Sequence, residues 1–102
     1  MTTVGSVDEF VDGAARRVDV DGHAVCLVRI GAAFYAIGDT CSHADFSLSE
    51  GDVWPDDCEI ECPKHGAMFS LVDGTPQSLP ATQPVPVFDV TVVGDRVKVA
   101  AR

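Results

Sequence analysis

The stretch RRVDVDGHAVCLVRI, residues 16–30, decides the fold. Its two halves, Arg16 to Val20 and His23 to Ile30, are runs of β-branched and apolar residues that favour extended strands. Between them, Asp21-Gly22 offers a glycine that tolerates the positive φ of a two-residue hairpin turn, so an antiparallel hairpin is predicted. A third run, Ala33 to Ile37, follows a turn at Gly31-Ala32. The carboxyl end repeats the pattern, with Val85 to Val93 and Arg96 to Ala100 as strands around Gly94-Asp95. These two ends are expected to pair into one sheeted base, which makes the chain all-β, an antiparallel sandwich or barrel-like unit. Helical periodicity is nearly absent, although Ser6-Val7-Asp8-Glu9 matches a capping box and predicts a single helical turn through Phe10. Pro80, Pro84 and Pro86 make Leu79 to Val87 a stiff extended connection rather than a ladder strand.

With 102 residues the chain is read as a single domain, 1–102, with room for one modest core and no second cofactor-binding lobe. The opening MTTVGSVDEF has no basic stretch and no apolar run of signal-peptide length. Nowhere do ~18 apolar residues follow one another as a spanning helix requires, so the expected location is the cytoplasm. In that reducing compartment the four cysteines read as metal ligands or buried thiols rather than as a disulfide framework.

The net charge is -9, from 16 acidic and 7 basic residues, which argues against nucleic acid or an anionic membrane as partner. Eight of the acids lie between Asp39 and Glu61 with no Lys or Arg among them. That run is either a solvated face or a steering field for a basic protein partner.

Between Thr40 and Pro80 the β signal weakens, and Cys, His, Gly and Pro gather. Cys41-Ser42-His43 and Cys62-Pro63-Lys64-His65 each offer one thiolate and one imidazole on a tight loop, with 18 residues (44–61) between the pairs. A zinc finger pairs Cys with Cys and His with His. Mixed loops suit a binuclear cluster with two Cys on one iron and two His on the other, because each loop can then straddle both irons; zinc is the competing occupant.

The two loops, Gly66 after the second, and the β-rich frame resemble the Rieske 2Fe-2S ferredoxins, whose pattern is Cys-x-His, a spacer, then Cys-x-x-His-Gly. The resemblance covers nearly the whole chain, and the spacer sits at the long end of the family's usual range, its extra length falling around Trp54-Pro55-Asp56-Asp57. It implies a Rieske fold with a base of roughly 1–39 and 81–102 and a small cluster-binding subdomain of roughly 40–80. It also implies one 2Fe-2S cluster held by Cys41, His43, Cys62 and His65. In the high-potential branch each ligand loop carries an extra Cys, the two forming a disulfide, and a Ser and a Tyr donate hydrogen bonds to sulfur. Here Phe46 and Lys64 stand at the cysteine positions, and Ala67 and Phe69 at those of Ser and Tyr. Without hydroxyl donors the reduced cluster loses stabilisation, so a potential near the low end of about -150 to +300 mV is expected.

The stretch Cys41 to Ser49, CSHADFSLS, and Cys62-Pro63-Lys64-His65-Gly66 are most similar to the ferredoxin components of bacterial aromatic-ring dioxygenases. That resemblance implies an electron carrier that turns over no substrate and works between a flavoprotein ferredoxin reductase and a terminal oxygenase. Two other roles compete: a cluster-bearing redox sensor or accessory of sulfur metabolism, and a cluster-free relative such as a nitrite reductase small subunit, which lacks the four ligands. The remaining singled-out residues have structural readings. Cys26 reads as a small buried hydrophobe, His23 as a surface residue, and Cys58 as sharing a strand face with Ile60 and Cys62. Trp54 is either packing or a shield for the cluster, and Lys64 is either merely exposed or a cation acting on the cluster or a partner carboxylate. Leu79-Pro80-Ala81 resembles the proline loop that covers the cluster in this family.

Overall fold

In a computed structural model, residues 2–42, 46–64, 66–79 and 83–101 are described. The predicted hairpin forms where residues 16–30 place it. Strand β2 (Ala15–Val20) pairs antiparallel with β3 (His23–Ile30), Val20 opposite His23. Asp21 and Gly22 both have positive φ, 50° and 83°, as a turn that matches the twist of its strands requires. Strand β4 (Ala33–Gly38) follows Gly31, whose φ is 62°. It continues the ladder with Val28 opposite Tyr35.

Strands β8 (Val87–Val93) and β9 (Arg96–Ala101) form the second hairpin, and β8 joins β4 through Ala36–Phe88 and Ile37–Val87. The sheet order is β1-β9-β8-β4-β3-β2, and its outer strands approach one another, curling the sheet towards a barrel. Strand β8 begins at Val87 rather than Val85, because Pro84 and Pro86 deprive the segment of ladder donors.

Two features depart from the sequence reading. Strand β1 (Thr2–Ser6), not anticipated, pairs with β9 across a bulge between Thr3 and Gly5. The turn at Val7–Glu9 forms, but as a 3-10 turn without the expected side-chain cap. Ser6 is drawn into pairing with Arg96, and the Val7 amide bonds the Asp95 carbonyl at 2.7 Å. Between β4 and β8 the chain also builds an unanticipated small antiparallel sheet from β5 (Val53–Trp54), β6 (Glu59–Glu61) and β7 (Met68–Ser70).

The uninterrupted apolar run in β3 now has its reason. Val25 and Leu27 face the core of the curled base with Val20, Phe88, Val97 and Val99. Cys26 and Val28, pointing the other way, join Ile37, Leu48, Ile60, Phe69 and Leu71 of the second core. A strand buried on both faces reads as continuous rather than alternating. Each fully buried Leu, Val or Phe contributes roughly 1.5–3 kcal/mol, so β3 welds the base to the small sheet.

Candidate metal centre

Cys41 and Cys62 root two hairpin loops of equal span. Thr40 bridges Ser47 across the first loop, and Glu61 pairs with Met68 across the second, seven positions apart in each (40 to 47, 61 to 68). Within each frame the cysteine amide donates to the carbonyl five residues on, Cys41 to Phe46 at 2.9 Å and Cys62 to Ala67 at 2.7 Å. The second loop turns back through Gly66, whose φ of 73° suits glycine and lets its amide reach the Cys62 carbonyl at 3.0 Å.

Both cysteines are buried, at 3% and 1% exposure, in one apolar cluster with Leu48, Ile60, Ala67 and Phe69. Two soft sulfur donors thus lie in one dry region, each on a backbone-locked loop, and this donor set fits a binuclear iron-sulfur group. His43 and His65, the other two sequence-assigned ligands, lie outside the described residues, as do Pro80 and Ala81 of the proline loop. Among the described residues alone, no group of three or more His, Cys, Asp or Glu gathers as a metal site.

The first loop is held from three sides. Asp39, 3% exposed, accepts the Ser49 amide through Oδ1 at 2.9 Å and the Ser47 hydroxyl through Oδ2. Its own carbonyl accepts the Leu48 amide at 2.6 Å. The Ser42 hydroxyl donates to the Gln83 carbonyl at 2.5 Å, tying the loop to the segment that returns to the base. Against the second loop, the Lys64 ammonium stands 4.8 Å from the centre of the Phe46 ring.

Asp39 therefore does not belong to the solvated acidic face assigned to it. Its role is missed because the serines that bury it lie eight and ten residues downstream; the alternation in Ser47-Leu48-Ser49 is the available signal. Glu50, Asp52, Asp56 and Asp57 do remain exposed.

The other singled-out residues fall as follows. Cys26 is fully buried, and burial together with the nearby Asp39 charge pushes its thiol far above the ordinary range. Cys58 packs on the same core as Ile60 and Cys62, and its hydrogen bond with the Tyr35 side chain raises the Tyr35 phenol. His23 is exposed, with its ring 6.1 Å from that of Phe88. Trp54 is half-exposed, and its indole N–H donates to Glu61 Oε1 at 3.1 Å, which anchors the turn at residues 55–58.

A curled antiparallel base carrying two equal loops with buried cysteines at their roots is an iron-sulfur architecture, and residues 1–89 match the Rieske [2Fe-2S] domain. The chain belongs to that family, and its cofactor is one 2Fe-2S cluster of the Rieske type. It is 42% identical over 88 residues to the 3-phenylpropionate/cinnamic acid dioxygenase ferredoxin subunit of Escherichia coli strain K12, covering 86% of this chain and 81% of that one.

Among solved structures, the ferredoxin of carbazole 1,9a-dioxygenase from Nocardioides aromaticivorans IC177 superposes with a TM-score of 0.97 at 39% identity, covering 99% of this chain and 97% of that one. A ferredoxin solved in complex with its oxygenase, also of carbazole 1,9a-dioxygenase, matches at 0.89 and 41%, covering 97% and 91%. With relatives of this kind along nearly its whole length, the chain is a ferredoxin-type electron carrier rather than a catalyst. Among the described residues no helix is long and apolar enough to cross a membrane.

Proposed function

We propose that this chain is the low-potential Rieske ferredoxin of a multicomponent oxygenase, passing single electrons from an NAD(P)H-dependent flavoprotein reductase to a terminal aromatic-ring oxygenase in the cytoplasm. On this reading Cys41 and Cys62 ligate one iron and His43 and His65 the other, residues 40–80 form the cluster-binding lobe, and 1–39 with 81–102 form the base. When bound, the cluster accepts and releases one electron. The chain's own residues hold two thiolates out of water, fix both loops through the Cys41 and Cys62 amides, and leave an acidic surface around Asp52, Asp56 and Asp57 that steers a basic partner.

The observation that carries the low potential is the filling around the cysteines. Ala67 and Phe69, 1% and 0% exposed, occupy the core beside Cys41 and Cys62 without a side-chain donor to offer sulfur. Support for the oxygenase role comes from the relatives at 39–42% identity, which are named as ferredoxins of dioxygenases, whereas solved nitrite reductase small subunits match at only 23–26%.

The test is a redox titration of the purified protein followed by reconstitution with a reductase and an oxygenase. A brown protein with a rhombic signal in its reduced form, a midpoint near the low end of about -150 to +300 mV and NAD(P)H-driven oxygenase turnover is expected. Zinc in a colourless protein overturns the cluster, a midpoint in the upper half overturns the branch, and a low-potential protein that supports no oxygenase overturns the role.

A further inference from the structure

The contact between Lys64 and Phe46 joins two loops whose cysteine amides are each closed within their own frame. The Phe46 carbonyl receives the Cys41 amide at 2.9 Å, so the position of the ring is coupled to that of Cys41. Lys64 lies two residues after Cys62, inside the loop closed from Cys62 to Ala67 at 2.7 Å and from Gly66 to Cys62 at 3.0 Å. Its ammonium, 4.8 Å from the ring centre, is within the range of a cation–π attraction.

The charge distribution makes this placement informative. Between Arg29 and Arg96 the sequence has no Lys or Arg other than Lys64, and the exposed Glu50, Asp52, Asp56 and Asp57 belong to the same stretch. Yet the two salt bridges among the described residues are Arg17–Asp19 and Arg96–Asp95, and Lys64 stands over an aromatic ring. Phe46 as a residue is 38% exposed at the rim of the first loop, so the core alone does not fix it.

We propose that Lys64 and Phe46 form a non-covalent latch between the two cysteine loops, Lys64 acting as a positioning residue that keeps the loops at the spacing the cluster needs. The proposal rests on the reading that the cluster is shared by these loops. Cluster release requires the loops to part, and a latch that must open first lowers the population of the parted state. An exposed cation–π pair is worth ~0.5–1 kcal/mol, which corresponds to a two- to fivefold change in that population.

The experiment follows bleaching of the visible absorption of the loaded protein in EDTA for the parent, Lys64→Met, Lys64→Arg, Phe46→Leu and the double variant Lys64→Met/Phe46→Leu. Lys64→Met, which keeps the stem and drops the charge, and Phe46→Leu, which keeps the charge and drops the ring, should each bleach about two to five times faster. The double variant should bleach no faster than the quicker single one, because both remove the same contact, and Lys64→Arg should match the parent. Multiplying effects in the double variant, or unchanged rates in both singles, overturn the latch while leaving the cluster assignment intact. A parent protein without iron-sulfur absorption overturns the assignment and the latch with it.

Discussion

Asp39 Oδ1 receives the backbone amide of Ser49 at 2.9 Å, across the mouth of the loop that carries Cys41. A carboxylate at 3% exposure thus replaces the water that an irregular segment would otherwise need. Asp39→Ala strands the Ser49 amide, at about 1–3 kcal/mol for an unsatisfied donor, and leaves the Ser47 hydroxyl only its 2.9 Å contact with the Ser49 hydroxyl. A total loss of about 2–4 kcal/mol in urea unfolding is expected, with a fall in iron per chain. Asp39→Asn keeps a carbonyl for Ser49 and should lose less than half as much; equal losses in the two variants would assign the effect to charge instead of to the clasp.

Gly51 touches the root of the second loop. A Cβ there would lie 1.7 Å from the Glu61 carbonyl oxygen and 2.9 Å from its carbon, one residue before Cys62. Main chain cannot swing aside as a flexible side chain does. Gly51→Ala should therefore cost about 2–3 kcal/mol or more and lower cluster occupancy. Gly31→Ala, where a Cβ meets nothing within 4 Å and only the positive φ opposes it, should cost about 1 kcal/mol and leave occupancy unchanged. Iron content beside thermal unfolding separates the two.

Ala67→Ser and Phe69→Tyr would place hydroxyls in the core shared with Cys41 and Cys62. A hydroxyl bonded to sulfur stabilises the more negative, reduced form. Each kcal/mol by which that bond strengthens on reduction raises a one-electron potential by about 40 mV. Upward shifts of this order are expected in titrations of both variants, and no shift in either undoes the low-potential assignment.

Cys26 gives an alkaline signature. Burial, reinforced by the Asp39 charge, holds its thiol neutral in the native state, whereas the unfolded thiol ionises near 9.0. Its folded pKa is raised, so its contribution is fully present below pH 9 and is lost as pH rises beyond it. Parent stability should decline more steeply than that of Cys26→Ala above pH 9, by up to about 1.4 kcal/mol per pH unit, although the variant starts lower by the volume it lost. The raised Tyr35 phenol acts in the same direction but is common to both proteins. Parallel alkaline limbs in urea unfolding at pH 7–10 would remove Cys26 as the cause.

Local signals carried most of the base. Asp21-Gly22 and Gly94-Asp95 dictate their own turns, and the strands on either side alternate or run apolar over six to eight residues. Strand β1 was invisible because Thr2–Ser6 contains Gly5 at a bulge and is defined only by Arg96 to Val99 at the far end of the chain. Of strands β5 to β7, two or three residues each, only β6 left a trace in the alternation of Cys58, Ile60 and Cys62; they exist because Ile60 and Phe69 are pulled into the core. At the candidate site, the two loops of Cys41 and Cys62 were legible from spacing, and the structure buries both thiols in one core. Asp39 depends on how its own loop closes on Ser47 and Ser49, and Gly51 and the meeting of Phe46 with Lys64 depend on how one segment lies against another, which no local pattern encodes.

The neighbouring positions of β4 and β8 have one further consequence. The chain leaves the base after Gly38 and returns at Val87, and Ile37 faces Val87 across one ladder. Exit and entry are side by side, so an insertion in an outer turn between them need not disturb the ladder that joins them. Lengthening an outer turn such as residues 55–57 leaves the β4–β8 ladder in place, and each doubling of a loop adds only about 0.6 kcal/mol of closure entropy. The spacer between the two cysteines is therefore an inexpensive place for a chain of this architecture to vary in length.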